Sequence, residues 1–132
     1  MTLVDTNVLL DLITDDRDWA DWSIQQLDIA ALSGALLIND VVYAELSVQI
    51  ATIEALDDLV KDAGLTLIPT PRPALFLAGK AFLDYRLRGG ARTGVLPDFF
   101  IGAHAAVAGY NLLTRDPKHY RSYFPKVSLV SP

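Results

Sequence analysis

The sequence predicts an α/β fold: a three-layer α/β/α sandwich around a central parallel sheet. Short apolar runs recur along the chain, stretches of helical length separate them, and no repeat or linker interrupts the alternation. Strands that alternate with helices pair in parallel through crossovers that cover both sheet faces.

The first strand is Thr2–Val4, an apolar run leading straight into a helix over residues 7–13. Asp18 is the expected N-cap of a second helix reaching residue 32 and ended by Gly34. Residues 35–38 form a second buried strand, after which Asn39 or Asp40 caps a helix with Val42, Leu46 and Ile50 on one face. A helix over 53–63 stops at Gly64, and a third strand follows over 65–68. Pro71 and Pro73 open a long helix to residue 88, and the glycine-containing stretch 89–94 reads as a flexible connection. Pro97 and Asp98 start a helix ending near Gly109 and Tyr110. Residues 111–114 make a fourth strand, 117–123 a short helix and 127–130 a last strand.

At 132 residues the chain suits a single domain, 1–132. With 52% hydrophobic and 20% charged residues it is an ordinary folded protein. No apolar run spans a bilayer: the longest, residues 95–113, is broken by Pro97, Asp98 and His104. Asp5 stands where a signal peptide carries Lys or Arg. The absence of cysteine excludes disulfides, thiol catalysis and cysteine-bound zinc, and agrees with a cytoplasmic setting. The net charge of −5 hides a division. Residues 1–66 hold thirteen acidic and two basic residues, a net of −11; residues 67–132 hold three and nine, a net of +6. A basic half can meet phosphates even in an acidic protein, although uneven usage on a solvated surface gives the same count.

In sheets of this kind ligands bind at the carboxyl ends of the strands, around a topological switch point. Asp5 follows the first strand, Asp116 follows the fourth, Asp98 opens the helix leading into the fourth, and Glu45 lies one turn into the helix after the second. Taken singly, Asp98 and Asp116 read as helix caps and Glu45 as a solvated residue; only Asp5 interrupts a buried strand end. Together the four can reach one sheet edge. Four adjacent carboxylates repel, by about 1 kcal/mol per pair at ~4 Å in water and about 4 at an effective dielectric near 20. A hard divalent cation relieves that repulsion, and Mg²⁺ or Mn²⁺ on oxygen ligands keeps waters and room for phosphate. Phosphodiester hydrolysis is the chemistry such a cluster serves.

Leu3-Val4-Asp5-Thr6-Asn7-Val8-Leu9-Leu10 resembles the opening of PIN domains, in particular the VapC-type toxins of prokaryotic toxin–antitoxin pairs. Residues 96–105, Leu-Pro-Asp-Phe-Phe-Ile-Gly-Ala-His-Ala, and 112–116, Leu-Leu-Thr-Arg-Asp, resemble the two late motifs of that family. Asp5, Asn7, Glu45, Asp98 and Asp116 match its polar positions in order. The resemblance implies an Mg²⁺- or Mn²⁺-dependent endoribonuclease restrained by a VapB-like antitoxin, and a homodimer. On that footing Asp5 and Asp98 are direct metal ligands, Glu45 and Asp116 complete the acidic shell, and Asn7 steadies Asp5. Thr6 and Thr114 place waters or phosphate, or merely pack at strand ends.

Arg92, Arg115 and Lys118 are candidate RNA contacts; a solvated loop and a solvated basic helix with Arg121 are the competing readings. His104 reads as a packed residue, and His119 as an exposed helix residue or a substrate contact. Trp19, Trp22 and Tyr43 are candidates for a dimer interface. An antitoxin segment is expected over apolar surface near the acids, along the Val42–Leu46–Ile50 helix, with an arginine reaching the carboxylates. A magnesium-dependent phosphatase would need a second Asp where Asn7 stands, and a receiver domain would need paired acids there. A catalytically silent PIN-like module that binds RNA or protein is the remaining alternative.

Overall fold

A computed structural model describes residues 1–92 and 94–132; Thr93, within the expected loop, lies outside the described residues. Five parallel strands run in the order β3-β2-β1-β4-β5. They are β1 (Thr2–Val4), β2 (Leu36–Asn39), β3 (Leu65–Ile68), β4 (Asn111–Leu113) and β5 (Leu129–Val130). The connections carry α1 (Thr6–Ile13) and α2 (Ala20–Ser33), then α3 (Asp40–Ser47) and α4 (Ile53–Asp62), then α5 (Arg72–Leu87) and α6 (Leu96–Ala108), and finally α7 (Lys118–Tyr123). The expected α/β class and parallel sheet are borne out.

β1 sits at the centre, its Leu3 opposite Leu37 of β2 and Leu112 of β4. These leucines are at most 1% exposed, as a strand buried on both faces demands. From β1 the chain winds outward through β2 to β3, then crosses back to β4 on the other flank. Because crossovers are right-handed, that reversal puts α5–α6 on the sheet face opposite α1–α2. It also makes the β1/β4 boundary the switch point, where the two strand ends splay and leave a crevice.

Local hydrogen bonding moves several element ends. α2 begins at Ala20 rather than after an Asp18 cap. Trp19 is the N-cap, without a side-chain cap bond, and Asp16 closes the turn before it, its Oδ1 accepting from the amides of Asp18 and Trp19 at 2.9 and 3.0 Å. Asn39 is the cap of α3, accepting from the Val42 amide at 3.0 Å, while Asp40 turns away to Thr70. α3 ends at Ser47, so Ile50 lies beyond it, and Val42 and Leu46 are fully buried. The Val42–Leu46 side of the helix expected to meet the antitoxin is therefore core, and the apolar residues left on it for a partner are Val41, Ala44 and, just past its end, Val48. Gly109 closes α6 at φ 72°, a backbone conformation that a side chain would strain. Asp98 and Asp116 make no side-chain cap bond at α6 or α7, so the bland reading of both as caps fails.

Gly102 of α6 governs how closely α7 approaches. A Cβ there would stand 2.5 Å from the Phe124 ring and 2.9 Å from that of Tyr120. The missing side chain lets both rings lie against α6, and Tyr120 is 1% exposed as a result. The interface candidates Trp19, Trp22 and Tyr43 are half-buried and engaged within the chain: the two indoles meet edge to face, and Tyr43 donates to Asp57. No helix of the described residues is long and apolar enough to cross a membrane.

Candidate active site

The crevice between β1 and β4 holds a hydrogen-bonded acid. Asp5, 4% exposed, accepts on Oδ2 from the Thr114 hydroxyl at 2.7 Å and the Tyr120 hydroxyl at 2.8 Å. Asn7 donates more weakly to the same oxygen at 3.4 Å and to Thr114 Oγ1 at 3.3 Å. Its own Oδ1 accepts from the Arg115 amide at 3.1 Å, tying the start of α1 to the end of β4. The Asp116 amide donates to Thr114 Oγ1 at 3.1 Å. Thr114 is thus the hub through which the first and fourth strand ends share one polar network. Thr6 donates to Glu45 Oε1 at 2.6 Å and fixes that side chain from α1.

The four sequence-predicted acids are electrostatic neighbours. Asp98 is pushed up to about 7, first by burial and then by the charges of Asp5, Glu45 and Asp116, with the Tyr120 hydroxyl pulling the other way. Asp5 is pushed up to about 6, chiefly by burial; the Thr114 and Tyr120 hydroxyls and the Thr6 amide oppose the rise, and the Glu45 charge adds to it. Tyr120 is pushed well above its ordinary 10 by burial and by the surrounding acids, so it stays a donor at any working pH. Glu45 is half-buried and Asp116 exposed, so the pair form the open side of the basin. Among the described residues no three acid or histidine side chains stand arranged as a finished metal-holding group. The donor set nevertheless suits a hard divalent cation: four oxygen acids, mutually repelling, in a pocket too dry to ionise them all.

Arg115 does not fit the role of an RNA contact. Its guanidinium makes a two-pronged pair with Asp11 at 3.0 and 2.9 Å and lies 5.3 Å from the Trp19 ring. Asp11 is 1% exposed and also accepts from the buried Ser23 hydroxyl at 2.8 Å. Arg115 thus fastens the α1–α2 pair to the strand end carrying Thr114 and Asp116. Arg92 and Lys118 are exposed, as an RNA contact requires. His104 is a packed residue, 2% exposed, its Nδ1 meeting Asn39 Nδ2 at 3.2 Å. Burial lowers its pKa, which keeps it neutral.

Sequence reasoning missed Tyr120 and Asp11. Tyr120 had one usable signal, a phenol four residues past Asp116 on a helix that must pack inward. Asp11 had none, because its partner is 104 residues away. An apolar cavity of about 450 Å³ opens beside Glu45, lined by Val41, Ala44 and Val48 of α3 and Leu96 and Phe100 of α6.

A family model described as PIN domain matches residues 2–125. No curated protein matches the chain. Among solved structures, it is similar to a chain of VapBC2 from Rickettsia felis bound to a DNA fragment from their promoter. That match has 19% identity over 99% of this chain and 98% of that one, with a TM-score of 0.75. VapBC-1 from nontypeable Haemophilus influenzae matches at 17% identity over 98% and 96%, TM-score 0.72. A toxin–antitoxin complex from Klebsiella pneumoniae matches at 21% over 98% and 96%, TM-score 0.68.

Proposed function

The chain belongs to the PIN domain family, and from that premise we propose that it is a metal-dependent endoribonuclease, the toxin of a type II toxin–antitoxin pair. The observation that carries the reading is the meeting of Asp5 and Asp98 at the switch point of the sheet, Asp5 raised by burial and the charge of Glu45, and the half-buried Asp98 by burial and the charges of Asp5, Glu45 and Asp116. An acid pocket of this kind serves a cation and a phosphodiester better than any other ligand. The similar VapBC structures support the toxin reading through their fold.

In this reading Asp5, Glu45, Asp98 and Asp116 hold Mg²⁺ or Mn²⁺. When bound, such an ion polarises the phosphate and lowers the pKa of a coordinated water. The chain's own part is positional. Thr114 and Tyr120 fix the Asp5 carboxylate from one side, Thr6 fixes Glu45 from the other, and Asn7 keeps the two strand ends together. Asp116, on the exposed lip, offers acceptor oxygens to orient an incoming water. The partner is a VapB-like antitoxin, and the apolar cavity beside Glu45 suits a segment whose arginine pairs with the acids in place of the metal. The homodimer expected from the resemblance would scatter light as two copies at high micromolar concentration.

The deciding experiment is cleavage of RNA by the purified protein with Mn²⁺, beside Asp98→Asn and Asp5→Asn. Cleavage by the parent and loss of at least a hundredfold in both variants is expected. The unfinished arrangement of the acids gives the silent-module reading its one point of support. RNA binding without any cleavage in Mn²⁺ would establish that reading instead.

A further inference from the structure

A second cleft lies beside the acids, between the C-terminal end of α5, the loop after it and α7. Its volume of about 540 Å³ falls in the range of small-ligand sites. Its walls carry Arg92, Lys118, His119 and Tyr123, and none of the described residues lining it is acidic. The loop wall is built rather than loose. The Gly90 amide donates to the Tyr85 carbonyl at 2.9 Å, and the Arg92 amide donates to the Tyr85 hydroxyl at 3.3 Å. Gly90 also lies flat on the Tyr85 ring, where a Cβ would come within 2.5 Å. Arg92 is thereby placed at the cleft mouth.

The other cation of this region is already engaged: Arg88 pairs with Asp84 at 3.0 Å and covers the Tyr123 ring. Arg92 and Lys118 make no ion pair among the described residues. The His119 ring packs edge-on against Tyr85 and tilted against Phe99, the residue next to Asp98. Lys118 follows Asp116 by two residues. The cleft and the acidic basin therefore meet at the start of α7, and His119 touches α6 through Phe99. Two unpaired cations and a part-exposed ring next to the acids suit one phosphate and one base of a single strand.

We propose that this cleft is a nucleotide subsite for single-stranded RNA, in which Arg92 and Lys118 take the phosphate next to the one cleaved and His119 stacks on the neighbouring base. The assignment rests on the ribonuclease reading, and its test separates the two. Full-length Asp98→Asn protein in EDTA is titrated into a labelled short single-stranded RNA, followed by fluorescence anisotropy at several salt concentrations. Adding Arg92→Ala and Lys118→Ala should weaken binding at least tenfold. It should also reduce the slope of log Kd against log salt by about 0.7, one phosphate contact's worth for a single strand. His119→Ala should weaken binding by roughly fivefold or more, and His119→Phe should keep it. Lys61→Ala with Arg72→Ala, the same charge change elsewhere, should alter Kd less than twofold. If the cleft variants bind as the parent does, or the control weakens as much, the subsite is refuted while the ribonuclease reading stands. If the parent itself binds no RNA, both fall. Displacement of RNA by polyglutamate as effectively as by unlabelled RNA would assign the cleft to an acidic protein segment and overturn the proposal.

Discussion

Asp98 and Asp5, lifted to about 7 and about 6, still carry protons where a carboxyl in water has none. A cation entering the basin must displace them. Mn²⁺ affinity is expected to rise as pH climbs toward 7 and to level off above it, with protons released on binding. Calorimetry in two buffers of different ionisation enthalpy reads that release; a pH-independent affinity with none would mean that the metal binds elsewhere. Tyr120 makes a finer test. Tyr120→Phe keeps the ring against Gly102 but removes a hydroxyl that holds Asp5 in place and opposes its rise in pKa. Metal affinity should fall by roughly 10- to 100-fold, the usual scale for a group one step behind a ligand, with little change in melting temperature. An unchanged affinity would reduce Tyr120 to a packing residue.

Between elements, two contacts decide whether the strand ends stay in register. Arg115 fastens α1 and α2 to the end of β4 through Asp11, whose side chain is 2% exposed, while its own is 31% exposed. Arg115→Ala leaves that carboxylate buried without its cation. The expected cost is about 2–3 kcal/mol, below the ~3–5 of a fully buried pair because the guanidinium is partly solvated. Urea denaturation measures it, and a loss under ~0.5 kcal/mol would deny the clasp. Gly102→Ala should cost about 1–3 kcal/mol by forcing α7 off α6, and should weaken metal binding as Tyr120 moves. The elements themselves were legible from periodicity, because strands and helix faces are written in neighbouring residues. So were the four acids, since a strand end is a visible landmark. The start of α2 was placed early because Asp18 is a good cap acceptor in sequence, whereas the chain spends that stretch in a turn closed by Asp16. The Arg115–Asp11 clasp was invisible because nothing local marks it, and the basic residue it consumes looked like a substrate contact.

For the molecule as a whole, the division of charge along the chain becomes a division in space. β1 and β2, with α1–α4, come from the acidic half; β3 straddles the division, and β4, β5 and α5–α7 come from the basic half. The acids gather where the halves meet. Without metal, Asp5 and Asp98 bind protons more tightly in the fold than in the unfolded chain, whose carboxyls titrate near 3.8. Their contribution is therefore fully present below about pH 4 and is lost as pH rises through about 6 and 7. Metal-free protein should lose melting temperature over that window, Asp98→Asn should lose less, and Mn²⁺ at neutral pH should restore the parent but not the variant. A parent and a variant with parallel pH profiles would show that the repulsion is not felt by the fold.

The hydrogen bonds on Asp5 come from Thr114 and Tyr120, 109 and 115 positions later. A ribosome making this chain finishes β1 early and the other wall of the basin last. Until β4 and α7 emerge, the growing polypeptide carries Asp5 without the Thr114 and Tyr120 hydroxyls and without Asp116, so the basin is not assembled. If the chain is the proposed toxin, that order of assembly delays its activity until β4 and α7 have been made, and a chain cut short before β4 is expected to be harmless to the cell expressing it.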